Sequence, residues 1–203
     1  RRLLYVETQF LRAALLAGAL AERARARPDL VLVVLLPAAP EDVAFKGDHG
    51  LAMRHGEWLQ IRAVERIRRA FGARAGFFTL GGRRARSEAS ERDAVFGAGT
   101  VYVHAKVAIA DDARAIVASA NLNDRSMRWD TEVGLAFEAP ESARRLRREL
   151  FASHLGGAAA GALPDDPAGM LAGWRRRALD NVLREPEERA GLVLPYPLEQ
   201  ARR

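Results

Sequence analysis

The chain has no cysteine, only two lysines and no long uncharged apolar run. The lack of cysteine excludes a disulfide framework, thiolate metal sites and cysteine nucleophiles. A membrane-spanning helix would need an apolar run of about 18 to 20 residues, so none is expected. The compartment stays open between a secreted, a cytoplasmic and a membrane-peripheral location.

What is present is enough for one packed domain with a basic surface. The 203 residues are 49% hydrophobic, and 32 basic residues against 26 acidic ones give a net charge of +6. This charge favours anionic partners such as phospholipid head groups or nucleic acid. Arginine supplies almost all of the positive charge, since the lysines are Lys46 and Lys106 alone.

The first 21 residues resemble a secretion signal only superficially. Glu7, Gln9 and Arg12 interrupt the apolar run, so a strand followed by a helix is the expected structure. Because the sequence opens on Arg1 and enters a strand almost at once, we expect it to be a piece of a longer protein.

The hydrophobic pattern predicts alternating strands and helices. Strands are expected at 3–6, 30–36, 76–80, 100–109, 113–119 and 131–137, and helices at 9–26, 57–71, 141–154 and 170–184. Polar loops are expected at 37–56 and 81–99, and a linker at 156–169. This order predicts an α/β fold with a mixed β-sheet flanked by helices. Residues 1–155 would form the main domain, and residues 156–203 a linker and a C-terminal helical tail.

Five polar residues suited to phosphodiester chemistry occur in the predicted strands. His104 and Lys106 would share one face of a strand, and Ser119 and Asn121 have the same spacing on the next one. Lysine and amide groups can bind the non-bridging oxygens of a phosphodiester. An imidazole can attack phosphorus or transfer a proton near neutral pH. Glu132 could accept a hydrogen bond from the other ring nitrogen of His104 and fix its tautomer.

These residues resemble the HxKx4Dx6GSxN signature of the phospholipase D superfamily. The signature positions here are His104, Lys106, Asp111, Ala118, Ser119 and Asn121, and only Ala118, where glycine is usual, departs from it. Glu132 falls where the family has its histidine-orienting carboxylate. The N-terminal LLYVETQFL resembles the YIENQYF strand that opens the second half of two-copy phospholipases D.

The resemblance implies a phospholipase D-like α-β-α sandwich in which residues 1–155 carry one HKD half. It implies catalytic roles for His104, Lys106, Asp111 and Glu132, and phosphate binding by Lys106, Ser119 and Asn121. The odd offset of Asp111 from His104 indicates a turn or network residue rather than a group that reacts. The site residues require neither a metal nor another cofactor, because lysine and amide donors supply the positive charge.

The chemistry implied by the resemblance is phospholipid hydrolysis through a phosphohistidine, with possible transphosphatidylation at a membrane surface. Two HxK histidines are required, so a second HKD half would come from a missing N-terminal region or another subunit. His104 would then serve mainly as the general acid and base. The alternatives are a cardiolipin synthase-like phosphatidyltransferase, a dimeric HKD nuclease and a non-catalytic lipid-binding module. Nucleic acid is thus a less favoured partner than phospholipid.

The remaining histidines and a basic cluster are interpreted structurally. His49 and His55 lack a compact metal-ligand spacing, and His154 is expected to end a surface helix without a chemical role. A solvated helix face is expected to hold Arg144, Arg145, Arg147 and Arg148.

Overall fold

The computed structural model describes residues 2–48, 50–86 and 92–201. Nine strands in these ranges form one mixed sheet: β1 (Leu3–Glu7), β2 (Val31–Leu35), β3 (Ala75–Ala85), β4 (Ala94–Val95), β5 (Ala98–Val101), β6 (Val107–Ala110), β7 (Arg114–Ala118), β8 (Gly134–Glu138) and β9 (Val193–Pro195).

Helices lie on both faces of the sheet. They are α1 (Ala14–Ala26), α2 (Glu41–Lys46), α3 (Leu51–Phe71), α4 (Asp124–Arg128), α5 (Pro140–Leu155), α6 (Gly157–Gly161), α7 (Pro167–Val182) and α8 (Leu198–Ala201). Two 3-10 turns, Gly72–Arg74 and Pro186–Glu188, complete the described elements. The prediction of an α/β fold with a mixed sheet flanked by helices is confirmed.

The sheet combines a parallel centre with antiparallel flanks. Its strand order is β4-β5-β3-β2-β1-β6-β7-β8, and β9 pairs with β3 off this path. Strands β1, β2 and β3 run parallel, whereas β6 is antiparallel to both β1 and β7. The central run Val31–Leu35 is buried along its whole length, as expected for a strand covered on both faces.

Two apolar layers enclose the central strands. On one face, Tyr5 and Phe78 pack with Phe151 of α5 and Trp174 of α7. On the other face, α1 and α3 cover the alternate side chains of the same strands, including Val6, Leu32 and Val34. This alternation of side chains produces the three-layer arrangement.

The C-terminal segment contributes to the central core. Trp174 is fully buried, and β9 pairs with β3 through Phe78–Pro195, Thr79–Leu194 and Leu80–Val193. The predicted linker at 156–169 contains α6 and the start of α7. The described part of the segment expected as a linker and helical tail, residues 156–201, thus packs against the main sheet.

Several predicted boundaries are wrong for local reasons. The helix expected from residue 9 begins only at Ala14, because Leu11 instead forms a bridge to Leu122. The loop expected at 37–56 contains α2 and the first turn of α3; α2 is too short to show helical periodicity and ends at Gly47, whose φ is +63°. The loop expected at 81–99 contains the end of β3, all of β4 and the start of β5.

The strand predicted at 100–109 is interrupted. Its two ends belong to β5 and β6, whereas residues 102–106 between them have no strand assignment. His104 and Lys106 therefore lie in the approach to β6 rather than within a strand. The strand predicted at 131–137 likewise starts later, at Gly134, which leaves Glu132 before β8.

The burial of Trp174 gives a stability test of the C-terminal segment. We expect Trp174→Ala to lower the free energy of unfolding by about 3–5 kcal/mol, because it removes a large core side chain and leaves a cavity. Urea unfolding measures this change. Trp129→Ala is the matched control, since Trp129 is 81% exposed, and its effect should stay within about 0.5 kcal/mol. Equal effects of the two changes would contradict the assigned core.

Candidate active site

The candidate site lies where several strand ends meet at one edge of the sheet. Because β6 runs antiparallel to β1 and β7, the start of β6 lies beside the ends of both neighbours. His104 and Lys106 precede β6, whereas Ser119 and Asn121 follow β7. A bond of 3.0 Å from the Ala118 amide to the Lys106 carbonyl continues the β6–β7 pairing into the site. The strand pairings thus bring together residues up to 112 positions apart, as in the contact between Gln9 and Asn121.

Lys106 is the best-connected cation of the site. Its Nζ donates to the His104 carbonyl oxygen at 2.7 Å and to Gln9 Oε1 at 3.3 Å. The same Nζ is 3.2 Å from both ring nitrogens of His104, so it favours neither nitrogen by distance. The His104 side chain is exposed, which leaves the imidazole accessible from solvent.

Gln9 connects the two predicted phosphate ligands, and the sequence interpretation missed it. Its Oε1 accepts from Lys106 and, also at 3.3 Å, from Asn121 Nδ2. Its Nε2 donates to the Tyr102 hydroxyl at 2.9 Å. The signal was a polar residue just past the end of a buried strand, within the segment that resembles the family's YIENQYF strand.

Glu132 contacts Ser119 instead of the expected histidine. The Ser119 hydroxyl donates to Glu132 Oε2, and two further bonds join Ser119 to Val133: its amide donates to the Val133 carbonyl at 2.9 Å, and its Oγ accepts from the Val133 amide at 3.0 Å. These bonds hold the segment before β8 against the end of β7. The described residues contain no Glu132–His104 hydrogen bond, so that predicted contact is wrong in this structure.

The pKa values of Lys106 and Glu132 depend on partial burial, on hydrogen bonds and on the effect that each charge has on the other. Hydrogen bonds from Ser119 and Ser126, followed by the charge of Lys106, lower the pKa of Glu132. Partial burial lowers the pKa of Lys106, while the charge of Glu132 acts in the opposite direction. Glu132 therefore stays ionised near neutral pH and helps to keep Lys106 protonated.

Asp111 lies at the opposite edge of the sheet from His104. Its Oδ1 accepts from the backbone amides of Arg2 at 2.6 Å and Leu3 at 2.7 Å. It starts the turn between β6 and β7, where Asp111 and Asp112 both have a φ of +54°. This position supports the turn-and-network interpretation, because aspartate tolerates this backbone region and bonds locally. The catalytic role of Asp111 stays a prediction.

Helix α5 buries two side chains, His154 and Arg147, that the sequence pattern placed at the surface. His154 is buried, and its Nε2 lies 3.1 Å from Glu7 Oε1. Arg147 is buried too and pairs with Asp112 through distances of 2.5 and 2.7 Å. The expectations of a surface position for His154 and a solvated Arg147 are therefore wrong. Arg147 lies four residues from both Ala143 and Phe151, in the buried stripe of α5.

An apolar cavity adjoins the cation of the site. It has a volume of about 140 Å³, and Val6, Ala108, Ile116 and Met127 line it together with Lys106. The site thus places an ammonium group beside apolar side chains.

Neither a metal-type cluster of side chains nor a membrane-spanning helix occurs in the described ranges. No cluster of three or more His, Asp or Glu side chains has the arrangement of a metal site there. No helix among those residues combines the length and apolarity needed to span a membrane. His49, considered above for metal binding, lies outside the described residues.

Sequence relatives come from one family. The model of the family described as "Cardiolipin synthase, PLD-like domain" matches residues 82–154. Phospholipase D of Phytophthora infestans is 40% identical over 73 residues, which cover 28% of this chain and 4% of that protein. Phospholipase D zeta 1 of Arabidopsis thaliana is 30% identical over 152 residues, 62% of this chain and 14% of the plant protein. The chain therefore spans only a small part of these relatives.

One solved structure is also similar to part of this chain. Nuc from Salmonella typhimurium, a phospholipase D family member, has a TM-score of 0.44 and 14% identity, with 72% of this chain and 74% of that chain covered. The sequence relatives define a phospholipase D-like domain. These matches support membership of the phospholipase D superfamily.

The two lysines allow a direct test of the site electrostatics. In protein labelled with 13C-lysine, NMR should show Lys106 losing its proton at lower pH than Lys46, because burial lowers the pKa of Lys106 while Asp42 raises that of Lys46. Glu132→Gln should lower the pKa of Lys106 further by removing a negative charge. Glu138→Gln, on β8 and paired with Arg114, is the control. Identical titration of the two lysines would contradict the described environment.

Proposed function

We propose that this chain supplies one half-site of a phospholipase D-type enzyme that cleaves phospholipid phosphodiester bonds. The observation that carries the proposal is the convergence of His104, Lys106 and Asn121 at one edge of the sheet, with Gln9 Oε1 accepting from the last two at 3.3 Å each. An imidazole beside an ammonium and an amide N–H is the set of groups that a phosphodiester requires.

Each group then has a defined role. Lys106 Nζ and Asn121 Nδ2 bind the non-bridging oxygens and stabilise the negative charge of the transition state. Ser119 assists by holding Glu132, to which it donates a hydrogen bond. Glu132 acts through the charge of Lys106, whose protonated form it favours.

His104 serves as the general acid and base of a two-step displacement. A histidine of the second half attacks phosphorus, while His104 donates its ring proton to the departing alcohol oxygen as the phosphorus–oxygen bond breaks. In the second step a water molecule loses a proton to His104, its oxygen bonds to phosphorus and the phosphorus–nitrogen bond breaks. Both steps balance and return His104 to its starting protonation state.

The second histidine is expected from outside the described site. His154 is buried against Glu7, and His55 lies on α3, where it stacks against Trp58. Neither contacts Lys106 or Asn121 in the described structure. A second HKD half, from a region outside this sequence or from another subunit, would therefore complete the enzyme.

Two observations bear on the substrate. The apolar cavity beside Lys106 suits a lipid better than a nucleic acid, because its walls offer few hydrogen-bonding groups. The matching family is described as a cardiolipin synthase, PLD-like domain, which supports phosphatidyl transfer as the second candidate. In that reaction a lipid alcohol replaces water in the second step.

Turnover by the 203-residue chain tests the half-site proposal. Phosphatidylcholine vesicles with and without ethanol are incubated over a range of protein concentrations, and light scattering gives the mass. The expected result is a monomer without turnover, or turnover that rises with dimer formation and is lost in His104→Ala. Phosphatidylethanol formed with ethanol present would indicate transfer. Plasmid cleavage without phospholipid turnover, or full activity of the monomer, would contradict the proposal.

Matched variants then test the residues in whichever assembly is active. Lys106→Met should lower kcat by about 100-fold or more, because it removes a charge that binds the transition state. Lys46→Met is the control, since Lys46 is exposed and pairs with Asp42 at 2.6 Å. Steady-state kinetics with unchanged melting temperatures provide the measurement. A normal rate for Lys106→Met would refute its assignment.

A further inference from the structure

Gln9 is a buried amide with well-defined partners on both sides. Its side-chain oxygen accepts from Lys106 Nζ and Asn121 Nδ2, and its side-chain nitrogen donates to the Tyr102 hydroxyl. The Tyr102 hydroxyl also accepts from the Glu41 amide at 3.1 Å. The first residue of α2 therefore holds Gln9 in place through Tyr102. The side-chain oxygen of Gln9 points at the two proposed phosphate ligands.

The orientation of this amide follows from the chemistry of its partners. An ammonium group can only donate hydrogen bonds, so Gln9 must turn its oxygen and not its nitrogen toward Lys106. With that oxygen fixed, Asn121 must turn its Nδ2 toward Gln9, because two amide oxygens repel each other. Asn121 Oδ1 is accordingly left buried without a hydrogen-bond partner. A buried oxygen left unpaired is unfavourable, so the orientation of Asn121 is imposed by its surroundings.

The same arrangement leaves donors free for a ligand. Lys106 uses one proton for the His104 carbonyl and one for Gln9, and its third faces the His104 ring. Asn121 Nδ2 uses one proton for Gln9 and keeps one. The Lys106 proton beside the His104 ring and the second Nδ2 proton of Asn121 are thus placed to bind the oxygens of one phosphate beside His104.

We propose that Gln9 is a positioning residue that sets the amide orientation of Asn121 and the place of the Lys106 ammonium, so that both bind one phosphate group. The inference rests on the proposed function, because it assigns those two side chains to phosphate. Gln9 itself does not contact the reacting atoms.

The lysine titration described above tests the positioning without requiring turnover. Gln9→Met removes the acceptor for the ammonium and should lower the pKa of Lys106, since a hydrogen bond to the charged form is lost. Gln9→Glu keeps the acceptor and adds a negative charge, and should raise that pKa by about one pH unit. If Gln9 only stabilised the fold, these two variants would not shift the pKa of Lys106 in opposite directions.

Gln60 provides the matched control. It is also a buried glutamine that donates to a tyrosine hydroxyl, Tyr196 at 2.9 Å, but its oxygen accepts from the Leu11 amide. Gln60→Met should leave the titration of Lys106 unchanged. An unchanged Lys106 titration in both Gln9 variants, or an equal shift in Gln60→Met, would overturn the proposal. If Gln9→Met fails to fold, Gln9→Glu and Tyr102→Phe still test it, because Tyr102→Phe removes one hydrogen-bond partner of Gln9.

Inorganic phosphate separates this inference from the proposed function. Phosphate should shift the Lys106 signal but not that of Lys46, and Gln9→Met should weaken its binding by about tenfold. Phosphate binding at Lys106 with normal affinity in Gln9→Met would refute the positioning role alone. Opposite Lys106 titration shifts in the Gln9 variants without any phosphate response would instead refute the proposed phosphate site.

Discussion

The antiparallel pairing of β6 with both β1 and β7 is the constraint on which the proposed site depends. It sets the residues before β6 beside those that follow the other two strands. Lys106 directly precedes β6, and its carbonyl accepts from the Ala118 amide at the end of β7, so a change in this register would separate Lys106 from Asn121. The arrangement of the proposed site is therefore a consequence of strand register.

The far edge of the same strands fixes that register. The carboxylate of Asp111 accepts from the first backbone amides of β1, and Asp112 forms a bidentate pair with Arg147 of α5. A turn with two positive φ angles is thus joined both to the neighbouring strand and to the helix that covers the sheet. Asp111 thus lies at the end of β6 opposite the proposed site and joins β6 to β1.

Residue spacing predicted part of the group of side chains that gather at the site. The offsets among His104, Lys106, Ser119 and Asn121 follow from a hairpin of fixed length, and the structure brings His104, Lys106 and Asn121 together. Spacing could not indicate the partner of Glu132, because the start of β8 was predicted three residues too early. Gln9 lacked a periodic signal, since its contact with Lys106 arises from the pairing of β1 with β6, which is distant in sequence.

The fold was predictable where hydrophobic runs were long, and the prediction failed where elements were short. The central strand at 31–35 and helix α3 followed from their apolar patterns, although α3 begins six residues earlier than expected. Helix α2 and strand β9 have six and three residues, too few to establish a period. The burial of Arg147 could not be predicted from the pattern of α5, because it depends on the ion pair with Asp112.

Anomalous diffraction from crystals soaked in tungstate, a phosphate mimic, would test the central claim most directly. The account predicts a tungsten position beside His104, with its oxygens within hydrogen-bond distance of Lys106 Nζ and Asn121 Nδ2. That position should remain in Lys46→Met and be lost in Lys106→Met. Tungstate bound only along the exposed arginines of α5, with the space beside His104 unchanged, would contradict the assignment of a phosphate site to this edge of the sheet.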